Sequence, residues 1–389
     1  MPSYTHLAYR RNAKAAARKQ QIKKPKNQES LQKAKEDFGY FCEYVADKPP
    51  AEHHKTWHRH FITNENSSCL LKIAGPNVDL LAPRGSAKST VLGLLTAWAI
   101  GVHTQAKQPL QVLYLSYTVD IARSKSATIK RIIESKRYQE VFPKVRLMKN
   151  VTSNEYWSID HRFAGIDTTG EEQFTLCAAG LKGSVTSKRS HLVMIDDAIK
   201  SSADIANPDI RNQMKENWNA VIAPTMFEGA RAICLGTRFR HDDIHATTFN
   251  EQNNWTQIVL SAILNDSKTG EEESYWPEMW SLEYLKEKKR QAPIAFSFQY
   301  MNQIVRQNEL SLAPELIVKA EIATEFDTLG IGVDLSAGVK ERNDYTVMVL
   351  GGRIEDRIHI IDYRRIRVMG NLEKLDALKE LLYDWSIIG

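Results

Sequence analysis

The chain has 389 residues, of which 25% are charged, and a formal charge of +5. That length exceeds one ordinary core and predicts two domains or a little more. No apolar run approaches the roughly 18 residues of a membrane span, and no apolar signal segment opens the chain, so no membrane partner is expected. Cys42, Cys69, Cys177 and Cys234 lie far apart with no C-x-x-C pair, which indicates buried free thiols and neither a zinc site nor a disulfide framework.

The charge is unevenly placed. Residues 1–35 carry ten Lys/Arg against Glu29 alone, a balance of +9 that leaves −4 for the rest. They read as a basic N-terminal arm, either touching DNA or a partner or serving as a solvated tail. From Asp37, the residues Phe38, Phe41, Cys42 and Val45 have helical spacing. His53, His54, His58 and His60 follow, but no cysteine or acid accompanies them at a recognised metal spacing. Trp57 and Phe61 are instead expected to pack as a helix face ahead of a nucleotide-binding strand, beside the adenine.

That strand holds Val78, Leu80 and Leu81 and runs into Ala82-Pro83-Arg84-Gly85-Ser86-Ala87-Lys88-Ser89-Thr90, after which Val91 to Ile100 leaves as an apolar helix. Strand, loop of small residues, lysine, hydroxyl and helix are the layout of a P-loop. The loop Pro83 to Thr90 would cradle ATP, its backbone N–H groups from Arg84 on facing the phosphates, Lys88 would reach the β and γ groups, and Ser89 would hold Mg²⁺. The general pattern has glycine where this chain has Ala82 and Ala87, and Arg84 adds a cation inside the loop.

Gln111 to Ser116 reads as a buried strand and Val119 to Ile133 as a helix, whose Arg123, Lys125, Lys130 and Arg131 form a basic face. Such a face is ordinarily solvated, and in a ring of ATPases Arg123 or Arg131 would be placed to reach a neighbour's γ-phosphate. Short strands and turns are expected over 140–190. His191 to Ile195 is then an apolar strand ending in Asp196-Asp197. Carboxylates at the end of a buried parallel strand sit beside a P-loop, where Asp196 would hold Mg²⁺ through water and Asp197 would orient the attacking water. Pro208 to Ala220 reads as a helix and Ala230 to Leu235 as a strand ending in Gly236-Thr237-Arg238-Phe239, with Thr237 placed to sense hydrolysis. A further helix and the strand Trp255 to Ala262 follow. The fold class expected is α/β, a P-loop NTPase parallel sheet with helices on both faces.

These motifs, together with Arg240-His241-Asp242-Asp243, Tyr275-Trp276-Pro277-Glu278, Phe298-Gln299-Tyr300-Met301-Asn302 and Gly332-Val333-Asp334, make the chain resemble the large subunit of a tailed-phage terminase over residues 50–350. The resemblance implies a motor that couples ATP hydrolysis to translocation of double-stranded DNA into a procapsid. It implies Arg84 as a γ-phosphate sensor, Lys88 and Ser89 as phosphate and Mg²⁺ ligands, Asp196 as completing the Mg²⁺ site, Asp197 as catalytic base where many members have glutamate, and Thr237 in the coupling motif. The implied partners are the portal protein, a small terminase subunit and further copies of the chain in a ring. The implied location is the cytoplasm of the infected bacterial host, docked on the portal vertex.

The resemblance divides the chain into the arm 1–35, an ATPase domain 36–310, a linker 311–326 and a second domain 327–389. The last begins with the strand Leu329 to Leu335, ending at Asp334, continues through Asp344, the strands Tyr345 to Gly351 and Arg357 to Tyr363, and the helix Leu372 to Trp385. It is similar to the start of a ribonuclease H-like nuclease, in which Asp334 and Asp344 would hold Mg²⁺ or Mn²⁺ and cut concatemeric DNA. The later acids of such a domain do not follow Ser386-Ile387-Ile388, so a separate C-terminal nuclease polypeptide, a fragment and an inactive nuclease all stay open. The rival reading is a helicase-like nucleic-acid ATPase, which requires a second motor domain after residue 260. A non-catalytic scaffold would not require Lys88, Ser89, Asp196 and Asp197 together.

Overall fold

The computed structural model describes residues 28–61, 77–169, 174–183, 185, 188–252, 254–265, 270–304, 323, 325–335, 345–355, 357–366 and 370–385. The basic segment before Gln28, Cys69, most of the expected linker and the strand at 386–388 therefore lie outside the described residues. The chain divides into two compact units, Met1–Val305 and Arg306–Gly389.

The first unit is built on eight strands: β1 (Asn77–Leu81), β2 (Val112–Ser116), β3 (Leu147–Thr152), β4 (Tyr156–Ile159), β5 (Leu176–Gly180), β6 (Ser190–Asp196), β7 (Met226–Gly236) and β8 (Trp255–Val259). They form one sheet in the order β3-β4-β5-β2-β6-β7-β1-β8. The six strands from β5 to β8 are parallel, and β4 and β3 extend the edge antiparallel. Both faces are covered. Val78, Leu80, Val112 and Tyr114 face one core, while Leu113, Leu115, Val193, Ile195 and Ala232 face the other. This is why the central strands read as continuous apolar runs.

The helix Lys88–Gln105 is buried on every side from Val91 to Thr104. It lies among the helices Gln28–Glu36, Phe38–Ala46 and Val119–Glu134, and Trp98 donates from its indole to the Ala34 carbonyl at 3.0 Å. From Gln28 onward, the stretch read as an arm is thus a helix packed into this core. Gly101 faces the buried Phe142 ring, which a Cβ there would meet at 2.3 Å. Gly101→Ala is therefore expected to destabilise the first unit. Overpacking costs about 1–3 kcal/mol against about 1 kcal/mol of improved helix propensity, and a thermal melt that rises instead would refute it.

The helix Glu52–Phe61 ends on the buried Arg231 of β7, whose guanidinium donates to the carbonyls of Phe61 and His60 at 2.7 and 2.5 Å. Those are the unpaired carbonyls of the last turn. Beyond β8, the hairpin β9 (Ile263–Asn265) and β10 (Glu272–Ser274) and the helices Leu282–Gln291 and Pro293–Met301 gather around Ala262, Ile263, Tyr275, Leu285 and Phe296.

The second unit has an antiparallel sheet of β11 (Thr328–Asp334), β12 (Thr346–Ile354) and β13 (Arg357–Ile366), in that order, and the helix Asn371–Asp384. Met348, Leu350 and Leu381 form its small core, with Ile331, Ile361 and Ile366 against them. Three antiparallel strands and a helix are what the sequence predicts here.

Candidate active site

The sheet order puts β6, β7 and β1 side by side, so their C-terminal ends present Asp196-Asp197, Thr237 and the loop 82–88 to one place. Ligands of open α/β sheets bind at such ends. The loop is tied down at its start, where the Ala82 N–H donates to the Gly236 carbonyl at 3.1 Å. Gly85 turns with φ +82°, and Ala87 takes φ +65°, the left-handed conformation that disfavours a side chain by roughly 1–2 kcal/mol. Alanine at 87 thus adopts the backbone that the pattern's glycine would supply.

Lys88 is buried. Its Nζ donates to the carbonyls of Ala82 and Pro83 at 2.9 and 3.1 Å and to Thr237 Oγ1 at 3.2 Å. Burial pushes its pKa down, against the pull of Asp197 and Asp196. Ser89 Oγ donates to Asp196 Oδ1 at 2.8 Å, and Tyr114 donates to Asp196 Oδ2 at 3.3 Å. Lys125 lies 3.4 Å from that same oxygen, so one cation of the face read as solvated belongs to the site. The Ser116 hydroxyl donates to the Asp196 carbonyl at 2.7 Å and holds the strand end.

Asp197 has φ +50°, a turn fixed by its N–H donating to the Leu235 carbonyl at 2.9 Å. Burial raises its carboxyl above the ordinary carboxylate range, although Lys88 pulls the other way. Arg84 is exposed; its N–H donates to the Gln299 carbonyl at 2.7 Å and its Nη1 to Gln299 Oε1 at 3.4 Å. Ser86 is buried and Thr90 exposed. Among the basic-face arginines, Arg123 pairs with Glu155 and Asp120, and Arg131 donates to Thr128.

Two further contacts brace the loop and are not legible in the sequence. His54 Nδ1 accepts the Ala51 N–H at 3.1 Å, and its Nε2 lies 2.9 Å from the Ser86 carbonyl. That pairing requires the neutral Nε2–H tautomer, and burial lowers the ring's pKa accordingly. Trp280 donates from Nε1 to the Gly85 carbonyl at 3.3 Å, and its ring would sit 2.8 Å from a Cβ at residue 85. Trp57 is buried, with its ring edge-on to His53 and His54.

Among the described residues, Asp79, Cys234 and His245 are the group whose donor atoms approach closely enough for a metal ion. Hydrogen bonds already occupy the carboxylate, since His245 Nδ1 and Gln257 Nε2 each donate to it at 2.8 Å. Burial opposes a charge on His245, but Asp79 outweighs it and raises the ring's pKa. In the second unit Asp334 stands exposed at the end of β11, and Asp344 lies outside the described residues.

No family model and no curated protein sequence matches the chain. Among solved structures, it is similar to the large terminase of bacteriophage HK97, with 16% identity, 91% of this chain and 71% of that one covered, and a TM-score of 0.42. The large terminase of a thermophilic bacteriophage, in complex with ATP-gamma-S, has 9% identity, coverage of 81% and 69%, and a TM-score of 0.37. The large terminase ATPase domain of Thermus phage P74-26 has 13% identity, coverage of 66% and 99%, and a TM-score of 0.36. These solved structures are bacteriophage large terminases, the same family that the sequence motifs resemble.

Proposed function

We propose that the chain is an ATP-hydrolysing large terminase subunit that drives double-stranded DNA into a procapsid. The observation that carries this is the meeting of Lys88, Ser89, Asp196 and Thr237 at the ends of three adjacent strands, with Lys88 on Thr237 and Ser89 on Asp196. The residues fit Mg²⁺: a hydroxyl and a carboxylate 2.8 Å apart are the hard oxygen donors it takes. Bound there, the ion would neutralise charge on the β- and γ-phosphate oxygens. Lys88 supplies a buried cation to the phosphates, Arg84 a second at the loop crest, and Asp197 accepts the proton of the attacking water. Thr237, held on Lys88, reports the state of the phosphates to β7.

The DNA contacts are mainly to phosphates, so binding is salt dependent and sequence tolerant. The chain acts as a ring of copies with the portal protein and a small terminase subunit, in the cytoplasm of the infected host. The second unit belongs to a ribonuclease H-like nuclease in which Asp334 and Asp344 hold Mg²⁺ or Mn²⁺. Its antiparallel sheet disfavours the helicase-like alternative, which requires a second parallel motor domain there.

Lys88→Ala is expected to lower DNA-stimulated ATP hydrolysis by about 10²–10³-fold, the scale of losing one preorganised electrostatic group. A phosphate-release assay with duplex DNA checks it. Hydrolysis at the wild-type rate would remove the P-loop assignment.

A further inference from the structure

In the sheet, β1 lies between β7 and β8, and the register sets Asp79 opposite Cys234 on one flank and Gln257 on the other. Residues in register on neighbouring strands project to the same face. A carboxylate, a thiol and a carboxamide therefore share one spot in the middle of the sheet, and His245, from the helical turn His245–Phe249, covers it. Asp79 Oδ1 accepts from His245 Nδ1 and Oδ2 from Gln257 Nε2, each at 2.8 Å, and the Cys234 thiol also bonds the carboxylate. Gln257 Nε2 reaches the His245 carbonyl at 2.9 Å. Asp79 and His245 are both wholly buried. An apolar pair of similar volume would fill this space without the cost of desolvating an acid and an imidazole, so stability alone does not account for them.

Their position relative to the loop does. The His245 ring lies against Gly236, where a Cβ would meet Cε1 at 2.7 Å and Nε2 at 2.9 Å. Gly236 offers its carbonyl to the Ala82 N–H, and the next residue, Thr237, accepts from Lys88. The imidazole is thus wedged against the residue that joins the sensor turn to the P-loop. Asp243 fixes the turn from the other side: its Oδ2 accepts the N–H groups of Phe239 and Arg240 at 3.0 Å each, and its Oδ1 accepts that of Ala246 at 3.1 Å.

We propose that Asp79 and His245 are positioning residues: their buried contact makes the strand entering the P-loop and the Gly236–Thr237 turn shift as one piece, keeping Thr237 on Lys88. This rests on the ATPase reading above. Both side chains are wholly buried behind the loop and neither is among the residues that would hold phosphate or Mg²⁺, so the pair sets the rate of hydrolysis without setting affinity.

The test uses the full chain, with ATP turnover, binding of fluorescent MANT-ADP and thermal melting measured together. Asp79→Val/His245→Leu removes both polar partners at once, which avoids stranding a buried charge. Gly236→Ala keeps the pair and presses a methyl group on the imidazole, so it serves even where the double variant does not fold. In either folded variant kcat is expected to fall about 10²-fold, with KM and MANT-ADP affinity within about threefold of wild type. A wild-type kcat in a folded variant, or a KM rising in step with the loss, would overturn the positioning role. Failure of the wild-type chain itself to bind MANT-ADP and turn over ATP would instead overturn the ATPase reading, before any variant is compared.

Discussion

Asp197→Asn will leave nucleotide bound and bring hydrolysis down by about 10²–10⁴-fold, the range a general base contributes. Asparagine suits the test because residue 197 sits at φ +50°, a conformation asparagine tolerates nearly as well as aspartate. The backbone turn, and with it the N–H donated to the Leu235 carbonyl, therefore survives the change. The pH profile gives a second reading of the same residue. As the proposed base Asp197 would act only when deprotonated, and burial raises its pKa, so the wild-type rate is expected to climb with pH through a midpoint above the ordinary carboxylate range. On the alkaline side the rate falls as Lys88 loses its proton, at a pH below the ordinary lysine value because burial lowers that pKa. In Asp197→Asn the acid limb disappears and the alkaline limb stays. The pH profile of kcat/KM from pH 4 to 10, which reports the groups of the nucleotide-free enzyme, measures both, and an unchanged acid limb in the variant would assign the base elsewhere.

The first unit will also lose stability steeply on mild acidification. Burial holds His53 at about 3 and both His58 and His103 at about 4, and lowers His54 as well. In the unfolded chain each returns to about 6.5, so below that pH the unfolded state binds more protons and acid favours it. From pH 8 to pH 5 each of His53, His58 and His103 contributes a loss of about 2 kcal/mol, about 6 kcal/mol for the three, against which the raised pKa of His245 favours the folded state over the same range. That is comparable to the whole stability of many domains, commonly about 5–15 kcal/mol. Melting followed across this range should drop sharply, and His103→Met should recover about 2 kcal/mol of the loss. A melting temperature flat between pH 8 and pH 5 would contradict the neutral, buried histidines.

Those histidines show where the sequence is legible and where it is not. The spacing of His53, His54, His58 and His60 matches no metal motif, and Trp57 and Phe61 among them are buried as a helix face, but nothing in that spacing says that His54 supports the Ser86 carbonyl, 32 residues away. The loop 82–88, the double aspartate and the threonine turn are legible because each sits at the end of an apolar strand, and strand ends are local events. Their convergence requires the strand order β6-β7-β1, which comes from tertiary pairing. Lys125 reads as part of a solvated face since helical periodicity gives direction but not what lies opposite. Asp79 escapes sequence reasoning for a related cause: one acid in an otherwise apolar strand has no local pattern, and its partners His245 and Gln257 come from 166 and 178 residues further on. The antiparallel strands β3 and β4 are short and edge-placed, and their sequence carries little alternation.

The crest of the P-loop bears on how such a sequence can drift. Alanine already stands at the two positions where the general pattern has glycine, and the backbone absorbs both. Gly85 is different, being held at φ +82° with the Trp280 ring where a side chain would begin. Two independent obstacles guard that one position, and relieving either leaves the other in force. In descendants of this chain the ends of the loop are free to vary among small residues, while Gly85 and the tryptophan that shields it should be inherited together.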